Sequence, residues 1–496
     1  MNRPPGPVKI LYPETGAWGI LSSMKTVEYD FLIIGTGPAG LSAALTAAKS
    51  GKKVLILEKE GSLGGVCVNT GTFPSKTLRE AVLSLTGHLT RKVFAEDSAC
   101  RFVDAEISMD RLKQRLQHVR LQEHAIIEGQ LQRDGVEIIR GNARFAGPKT
   151  ISVRPLNGEE VLVGGKFIII ATGSRPRTPA EIPFDHEIIV DSTSILNMKS
   201  IPRSMVILGG GVIGSEYATI FAALGVKVTL LDTGSRLLKF LDHEIVDYLK
   251  KNFPRGNIDY IPDCGKFVIA KEKGQAVLRL DSGREFRADT LFFALGREAN
   301  TASLDIEKAG IVCNEWSYIT VNDLYQTSAP DIYAVGDVIG WPSLAATSIT
   351  QGRLAAFNAL QKRADGFPHL FPIGIYTIPE ISYVGITEEE ALARGYKIVV
   401  GRCLYDELPR GQISGECEGL LKMIVHRDTR EILGVHILGA GATEIIHIAL
   451  LALFHNAKID LFVDNIFNYP TYSEALKIAA LSASDQIEAG FGKRPV

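Results

Sequence analysis

With 496 residues the chain is too long for one compact core, so two to four domains are expected. Lys and Arg number 54 against 56 Asp and Glu, which leaves no charge excess to draw nucleic acid or an anionic membrane surface. No apolar run reaches the roughly 18 residues of an integral membrane span, and six cysteines without a CxxC pair fit a reducing cytoplasm rather than a disulfide scaffold.

Residues 1–24, "MNRPPGPVKILYPETGAWGILSSM", are rich in Pro and Gly and lack a basic start followed by an apolar core. A loose extension is expected there, and a secretory signal is not. Next, "YDFLIIGTGPAG" runs an apolar strand into Gly35, Gly37 and Gly40. A small-residue helix, "LSAALTAAKSG", and a second strand, "KKVLILE", end this unit at Glu58. In such a unit the first glycine makes a tight turn, the second admits a pyrophosphate against the backbone, and the third lets helix and strand pack closely. The helix N-terminus faces the phosphates, and the acid accepts from a ribose hydroxyl. The stretch that follows, "GGVCVNTGTFPSK" (64–76), looks like part of a redox site, with a glycine pair, Cys67 and a Pro-Ser-Lys turn. A dithiol would want a second cysteine, and the next candidate position holds Thr72.

Further along, "FIIIATGSRP" (167–176) is a strand followed by Ala-x-Gly that closes the first nucleotide-binding half. "SMVILGGGVIG" then repeats the opening unit with Gly209, Gly211 and Gly214, a helix, and "VKVTLLD" ending in Asp232. Each acid lies 23 residues after the first glycine of its unit (35 to 58, 209 to 232). "TLFFALGRE" (290–298) closes the second half in the same way. Two such units predict two dinucleotides, a bound flavin and an exchanging nicotinamide. "DIYAVGDVIGWPSLAATSITQGRLAA" adds a strand ending at Gly336-Asp337 and a helix from near Ala345. An acid there suits a sugar-chain hydroxyl, and the helix N-terminus suits negative charge on a reduced ring. Glu444 and His447 stand three apart in an apolar helical pattern but have no matching second pair, and no metal is expected.

Together these residues resemble the two-dinucleotide-binding flavoprotein family, the pyridine nucleotide-disulfide oxidoreductases, which includes glutathione reductase and dihydrolipoamide dehydrogenase. The resemblance runs from about Val27 to about Ser484. It implies an α/β fold with two Rossmann-like domains, for FAD and for NAD(P), plus a C-terminal α+β dimerisation domain beginning near "FPIGIYTIPEISYVGIT", in a homodimer. We read 1–24 as the extension, 25–198 with 299–368 as the FAD-binding domain, 199–298 as the NAD(P)-binding domain and 369–496 as the dimerisation domain. By the same resemblance, Gly35, Gly37, Gly40 and Glu58 hold FAD adenosine and pyrophosphate, and Asp337 holds the ribityl chain. Pro38, Ala39, Lys59, Gly65, Thr72, Lys76, Ala143, Ala171, Thr172, Gly173, Gly336, Leu344 and Ala345 complete the implied FAD site. The exchanging NAD(H) or NADP(H) falls to Gly209, Gly211, Val212, Ile213, Gly214, Glu216, Asp232, Arg236 and Gly296.

Dithiol members of the family carry CxxxxC before the Pro-Ser-Lys segment and take a His-Pro pair near the partner's C-terminus as thiol base. Here Thr72 fills the second cysteine position, and Tyr469 replaces the histidine in "FNYPTYSE", while Pro470 and Glu474 remain on the partner-subunit side. Disulfide reduction by the family route is therefore rejected, and Cys67 is read as an inert relic. The hydride path survives: Lys76 matches the lysine beside flavin N5, and Glu216 matches its ion-pair partner on the nicotinamide side. Val212 stands where glutathione reductase has a tyrosine lid.

"GTxPSK", "IYAVGDVIGxPSLA", "EIIHI" and "FNYPT" look like the branch of the family that transfers hydride between pyridine nucleotides. The implied activity is ping-pong hydride transfer through bound FAD. Asn69-Thr70 stand where that branch has His-Trp, so the lining of the flavin's far face differs. Asp232 implies a preference for NADH over NADPH, with NADPH still accepted; Arg236, four residues on, either offsets repulsion of the extra phosphate or has a surface role, the latter favoured. Two rival readings are an NAD(P)H:quinone or dye oxidoreductase, with Tyr469 and Tyr472 lining an aromatic slot, and a non-enzymatic flavoprotein scaffold or redox sensor.

Overall fold

The computed structural model describes residues 27–86, 107–254, 256–362 and 366–490, and the expected extension at 1–24 lies outside them. Two compact units divide the chain. The first is drawn from within Met1–Thr77, Gln114–Arg177 and Gly296–Phe367, the second from within Leu78–Lys113, Thr178–Leu295 and Pro368–Val496.

The first unit is built on parallel strands in the spatial order Glu137–Gly147, Val54–Glu58, Val27–Ile34, Val161–Ile170 and Ile332–Ala334. The inner segments of its central strands, 31–34, 54–57 and 167–170, are apolar runs because both faces are covered there. Phe31 and Ile33 pack with the helices Pro38–Lys49 and Ala345–Ala359 on one face, while Leu32 and Ile34 pack with Phe145, Ile151 and Ile311 on the other. Burying one such side chain contributes about 1.5–3 kcal/mol. Thr150–Pro155 adds an antiparallel strand beside Glu137–Gly147 and Val161–Ile170. Beyond the sheet, Ser174–Pro176 pairs antiparallel with Arg297–Ala299, so the segments following the two Ala-x-Gly turns meet in one short ladder.

The second unit opens with a parallel sheet in the order Ile258–Ile261, Lys227–Leu231, Ser204–Leu208, Thr290–Phe293 and Ile189–Val190. Its first four strands repeat the order of the first unit, while the fifth, Ile189–Val190, precedes its partners in sequence where Ile332–Ala334 follows its own; the repeat in the sequence returns as a repeat of topology over four strands. An antiparallel sheet of Phe267–Glu272, Gln275–Leu280 and Glu285–Ala288 lies between its strands in sequence. The C-terminal part forms an antiparallel sheet in the order Ile373–Ile375, Ile381–Gly385, Ile432–Leu438, Leu420–His426 and Ile398–Leu404. The helices Ala442–Phe454 and Glu474–Gly490 cover it around Tyr405, Leu421, Met423, Ile437 and Ala479. The α/β class with an α+β C-terminal domain is thus as the sequence predicts. Among the described residues no helix is long and apolar enough to cross a membrane.

A buried charge cluster belongs to this second unit. The Lys422 ammonium, 1% exposed, lies 2.8 Å from Asp242 Oδ1, 3.1 Å from Glu244 Oε2 and 2.6 Å from Glu388 Oε2. Burial disfavours its charge, but hydrogen bonds to the carboxylates outweigh that and hold its pKa above the usual lysine value. Arg402 closes the cluster with a two-pronged grip on Glu244, at 2.7 and 2.9 Å.

Candidate functional site

The first glycine-rich turn lies between Val27–Ile34 and Pro38–Lys49. A Cβ on Gly40 would strike Gly35 O, so the third glycine is what lets helix and turn touch. A Cβ on Gly37 meets nothing within 4 Å, and Gly37 caps the helix without a side-chain hydrogen bond. With Pro38 at the first position and no acid in the first turn, the helix presents uncapped N–H groups to that open space. Ala39, buried, lies one step in, and Gly65 covers the turn so closely that its Cβ would sit 3.0 Å from Gly37 Cα. The cradle fits a dinucleotide pyrophosphate.

Glu58 ends its strand buried. Its Oε2 accepts from the Thr36 N–H at 3.0 Å and from the Thr36 hydroxyl, and its Oε1 accepts from the Glu60 N–H at 2.9 Å. The carboxylate is therefore held at the rim of the turn by the residue between the first two glycines. Thr36 also accepts from the Gly64 N–H at 3.0 Å, tying in the Cys67 segment. Lys59 is exposed and pairs with Glu60 at 3.6 Å. Ala143 packs at the edge of the first unit's core.

Cys67 lies on the short helix Gly65–Asn69, half-buried, and Thr72 begins the helix Thr72–Leu85 that also carries Lys76. Thr72 stands near enough to the Cys67 sulfur to act on its ionisation. Burial pushes the Cys67 thiol up, the charge of Asp337 adds to this, and Thr72 and the Lys76 charge oppose it; the net shift is upward. Cys67, Thr72, Lys76 and Asp337 thus share one electrostatic environment. Asn69 Oδ1 meets His124 Nε2 at 3.0 Å, and the Asn69 amide donates to Leu63 O and Gly65 O, both at 2.9 Å.

Asp337 follows Gly336 on a single turn, and its Oδ2 accepts from the Ser174 hydroxyl at 2.7 Å. Arg297 donates through Nε to Ser174 Oγ at 2.8 Å and through Nη2 to Ser174 O at 2.7 Å. The Gly336 N–H donates to Gln351 Oε1 at 2.8 Å. Thr172 exchanges hydrogen bonds with Asn300, both at 2.9 Å, between the buried Ala171 and Gly173, whose Cβ would meet open space. Leu344 caps the helix beginning at Ala345 with no side-chain hydrogen bond and no acid in its first turn.

The second turn repeats the first. Gly209 and Gly35 both have positive φ, at 122° and 108°, and a Cβ on Gly209 would lie 2.6 Å from Ala294 O. A Cβ on Gly214 would strike Gly209 O, whereas one on Gly211 meets nothing within 4 Å. Val212 and Ile213 open the helix Val212–Ala223, which again lacks a side-chain cap and a first-turn acid. Glu216, 3% exposed, accepts from the Tyr376 N–H at 2.9 Å. Asp232 lies over the turn: its Oδ1 accepts from the Gly234 N–H at 3.1 Å, and a Cβ on Gly210 would sit 2.6 Å from its Cγ. Arg236 donates to Leu241 O. Gly296 falls in the first unit, its Cβ position 3.5 Å from Arg177 Cδ. In the C-terminal part Tyr469 is 72% exposed. Tyr472 stacks on Tyr405 at 5.2 Å and bonds Ser414, while Glu474 accepts from the Thr471 N–H at 3.3 Å.

Residues 29–352 match the pyridine nucleotide-disulphide oxidoreductase family, and residues 371–480 match the dimerisation domain of that family. The chain belongs to this family. Family members bind FAD and NAD(P)H, and the two cradles fit them. The chain is similar to the soluble pyridine nucleotide transhydrogenase of Mycobacterium bovis, 46% identical over 93% of this chain and 98% of the relative. It is similar also to the protein of that name from Colwellia psychrerythraea, 41% identical over 93% and 99%. Among solved structures, the HOCl-induced flavoprotein disulfide reductase RclA from Escherichia coli superposes with TM-score 0.82 at 29% identity, covering 91% of this chain and 99% of that one. LpdA from Mycobacterium tuberculosis, at 24% identity and TM-score 0.83, shares the fold.

Several residues of this family site escape sequence reasoning. Thr36, Gly210, Ser174, Asn300, Gln351 and Arg297 bind or admit the expected site residues, yet five of the six carry no local mark. Arg297 alone had a signal, standing directly after the glycine of an Ala-x-Gly turn.

Proposed function

We propose that this family member is an FAD-dependent transhydrogenase that moves hydride between pyridine nucleotides by a ping-pong route without a redox disulfide. The relatives named soluble pyridine nucleotide transhydrogenase support the activity. One observation supports the route above all: Thr72, which carries no sulfur, stands five residues after Cys67 where a dithiol needs its second sulfur, and burial favours the protonated Cys67 thiol. Bound FAD supplies the chemistry, taking hydride from one nicotinamide and giving it to another.

In this reading the N–H groups of Gly37, Ala39 and Gly40 hold the FAD pyrophosphate, Glu58 the adenosine ribose and Asp337 the ribityl chain. The Lys76 ammonium favours an electron-rich ring, and Glu216 orients the nicotinamide side. Gly211, Val212 and Ile213 hold the second pyrophosphate, and Asp232 accepts from the ribose of NADH. We read 25–198 with 299–368 as the FAD domain, 199–298 as the NAD(P) domain and 369–496 as the dimerisation domain. The dimerisation domain supports a homodimer, with Tyr469 and Glu474 facing the partner subunit. Five described cysteines without disulfides are consistent with work in a reducing cytoplasm.

The test is reduction of the thionicotinamide analogue of NAD by NADPH, with the Cys67→Ser holoprotein beside the parent. Transfer is expected from both, within about threefold of each other. Loss of transfer in Cys67→Ser with FAD retained would overturn the disulfide-free route. Negligible transfer by the parent alongside fast quinone reduction would replace the transhydrogenase by the acceptor oxidoreductase.

A further inference from the structure

The loop 376–380 joins the first two strands of the C-terminal sheet, Ile373–Ile375 and Ile381–Gly385. Glu216 and Thr219 stand three apart on the helix Val212–Ala223, hence on one face of it, and are 3% and 4% exposed. Each accepts a backbone N–H from this loop: Tyr376 to Glu216 Oε1 at 2.9 Å, and Ile378 to Thr219 Oγ1 at 3.1 Å. Alternate N–H groups of an extended stretch point the same way, so the helical spacing of three and the loop spacing of two meet in register. The Thr219 proton has its outlets on helix carbonyls, Glu216 O at 3.0 Å and Ser215 O at 3.2 Å, so it is the oxygen lone pair that holds the loop.

The loop is itself braced. Thr377, wholly buried between the two donors, bonds Pro379 O at 2.6 Å, and its own carbonyl accepts from Arg79 Nε at 3.0 Å. Glu380 accepts from the Thr443 hydroxyl at 3.2 Å, and its carbonyl accepts from the Gly439 N–H at 2.9 Å. A threonine bonding back to its own helix is common and needs no functional reading. A threonine that fixes the loop whose neighbouring N–H fixes a buried carboxylate is a different arrangement.

We propose that Thr219 is a positioning residue for hydride transfer, acting through loop 376–380 on the Glu216 carboxylate. This rests on the reading of Glu216 as the nicotinamide-side carboxylate. Removing the Thr219 acceptor strands the Ile378 N–H, and Tyr376, two residues away, moves with the loop. A displacement near 1 Å at a group that orients the reacting centres lowers rate up to about a hundredfold.

The experiment follows anaerobic bleaching of the flavin by NADH in a rapid-mixing instrument. Thr219→Val keeps the shape and loses the acceptor, whereas Thr219→Ser keeps the hydroxyl. Thr219→Val is expected to lower the limiting bleaching rate about tenfold, with NADH Kd, FAD content and melting temperature near those of the parent. Thr219→Ser should recover the rate to within about twofold. In a Glu216→Gln background, Thr219→Val should add no further slowing.

A parental rate in Thr219→Val, while Glu216→Gln is slow, overturns the positioning role and leaves the reading of Glu216 standing. Parental rates in both overturn the reading of Glu216 and the proposal with it. Should Thr219→Val not yield holoprotein, Thr219→Ala is judged by the same criteria.

Discussion

Asp232 illustrates how much one residue depends on its neighbour. Its carboxylate lies over the second glycine-rich turn because Gly210 has no Cβ to exclude it, and the Gly234 N–H steadies one oxygen. An anion so placed accepts from a ribose hydroxyl and repels a phosphate on the same carbon. Arg236, the residue that could offset the repulsion, donates to Leu241 O instead. We expect kcat/KM for NADH to exceed that for NADPH by about tenfold or more, and Asp232→Asn to narrow the gap. Steady-state kinetics with both coenzymes decide it, and a higher constant for NADPH in the parent would remove Asp232 from that role. Spacing alone singled out Asp232 in the sequence. Gly210 was not legible, because a glycine in the middle of three carries no sign of which one makes room for a side chain 22 residues later.

Helices and strands show the same division between what pattern reveals and what only packing reveals. Strand, glycine turn, helix, strand and acid were readable twice, because period and turn chemistry are local properties. The crossing of Pro38–Lys49 with Ala345–Ala359 was not, since it joins segments about 300 residues apart. That crossing relies on Gly352, where a Cβ would strike Ala39 O and lie 2.9 Å from its carbonyl carbon. Ala39 belongs to the first turn of the helix read as the FAD pyrophosphate site. Gly352→Ala should therefore cost about 1–3 kcal/mol through overpacking and speed FAD loss on dialysis. Gly129→Ala, on the helix Met109–Arg133 where a Cβ meets open space, is the control and should be neutral or mildly stabilising. Equal melting temperatures and equal FAD retention in the two variants would refute the crossing argument. The ladder of Ser174–Pro176 with Arg297–Ala299 was hidden for a similar reason: the two Ala-x-Gly turns looked alike in sequence, but nothing local said that their sequels pair.

The molecule as a whole should be sensitive to acid, and the buried charges of the second unit set the sign. His436 is wholly buried, stacked on Tyr383 at 5.5 Å, with Nε2 at 3.0 Å from Ile386 O and Nδ1 without a partner among the described residues. Burial lowers its pKa, so it is neutral when folded, while in the unfolded chain it titrates near 6.5. Stability from this group is complete above about pH 6.5 and falls below it, by at most about 1.4 kcal/mol per pH unit. Asp242 and Glu244 act in the same direction at lower pH: burial raises their pKa, but the bonds from Lys422 and Arg402 prevail and lower it. Their share is therefore lost beneath about pH 4. Melting temperatures from pH 7 to pH 5 should fall in the parent and fall less steeply in His436→Phe, even if that variant melts lower throughout; parallel slopes would exclude His436 as the source. The Lys422 cluster carries a different consequence. Asp242 and Glu244 come from the stretch read as the nicotinamide domain, Lys422, Glu388 and Arg402 from the C-terminal domain, and stranding one member of a buried ion pair costs about 3–5 kcal/mol. A chimera that grafts residues 199–298 into a relative would inherit carboxylates deprived of their counter-ions, so coenzyme preference in this scaffold is better re-engineered by transplanting both domains together.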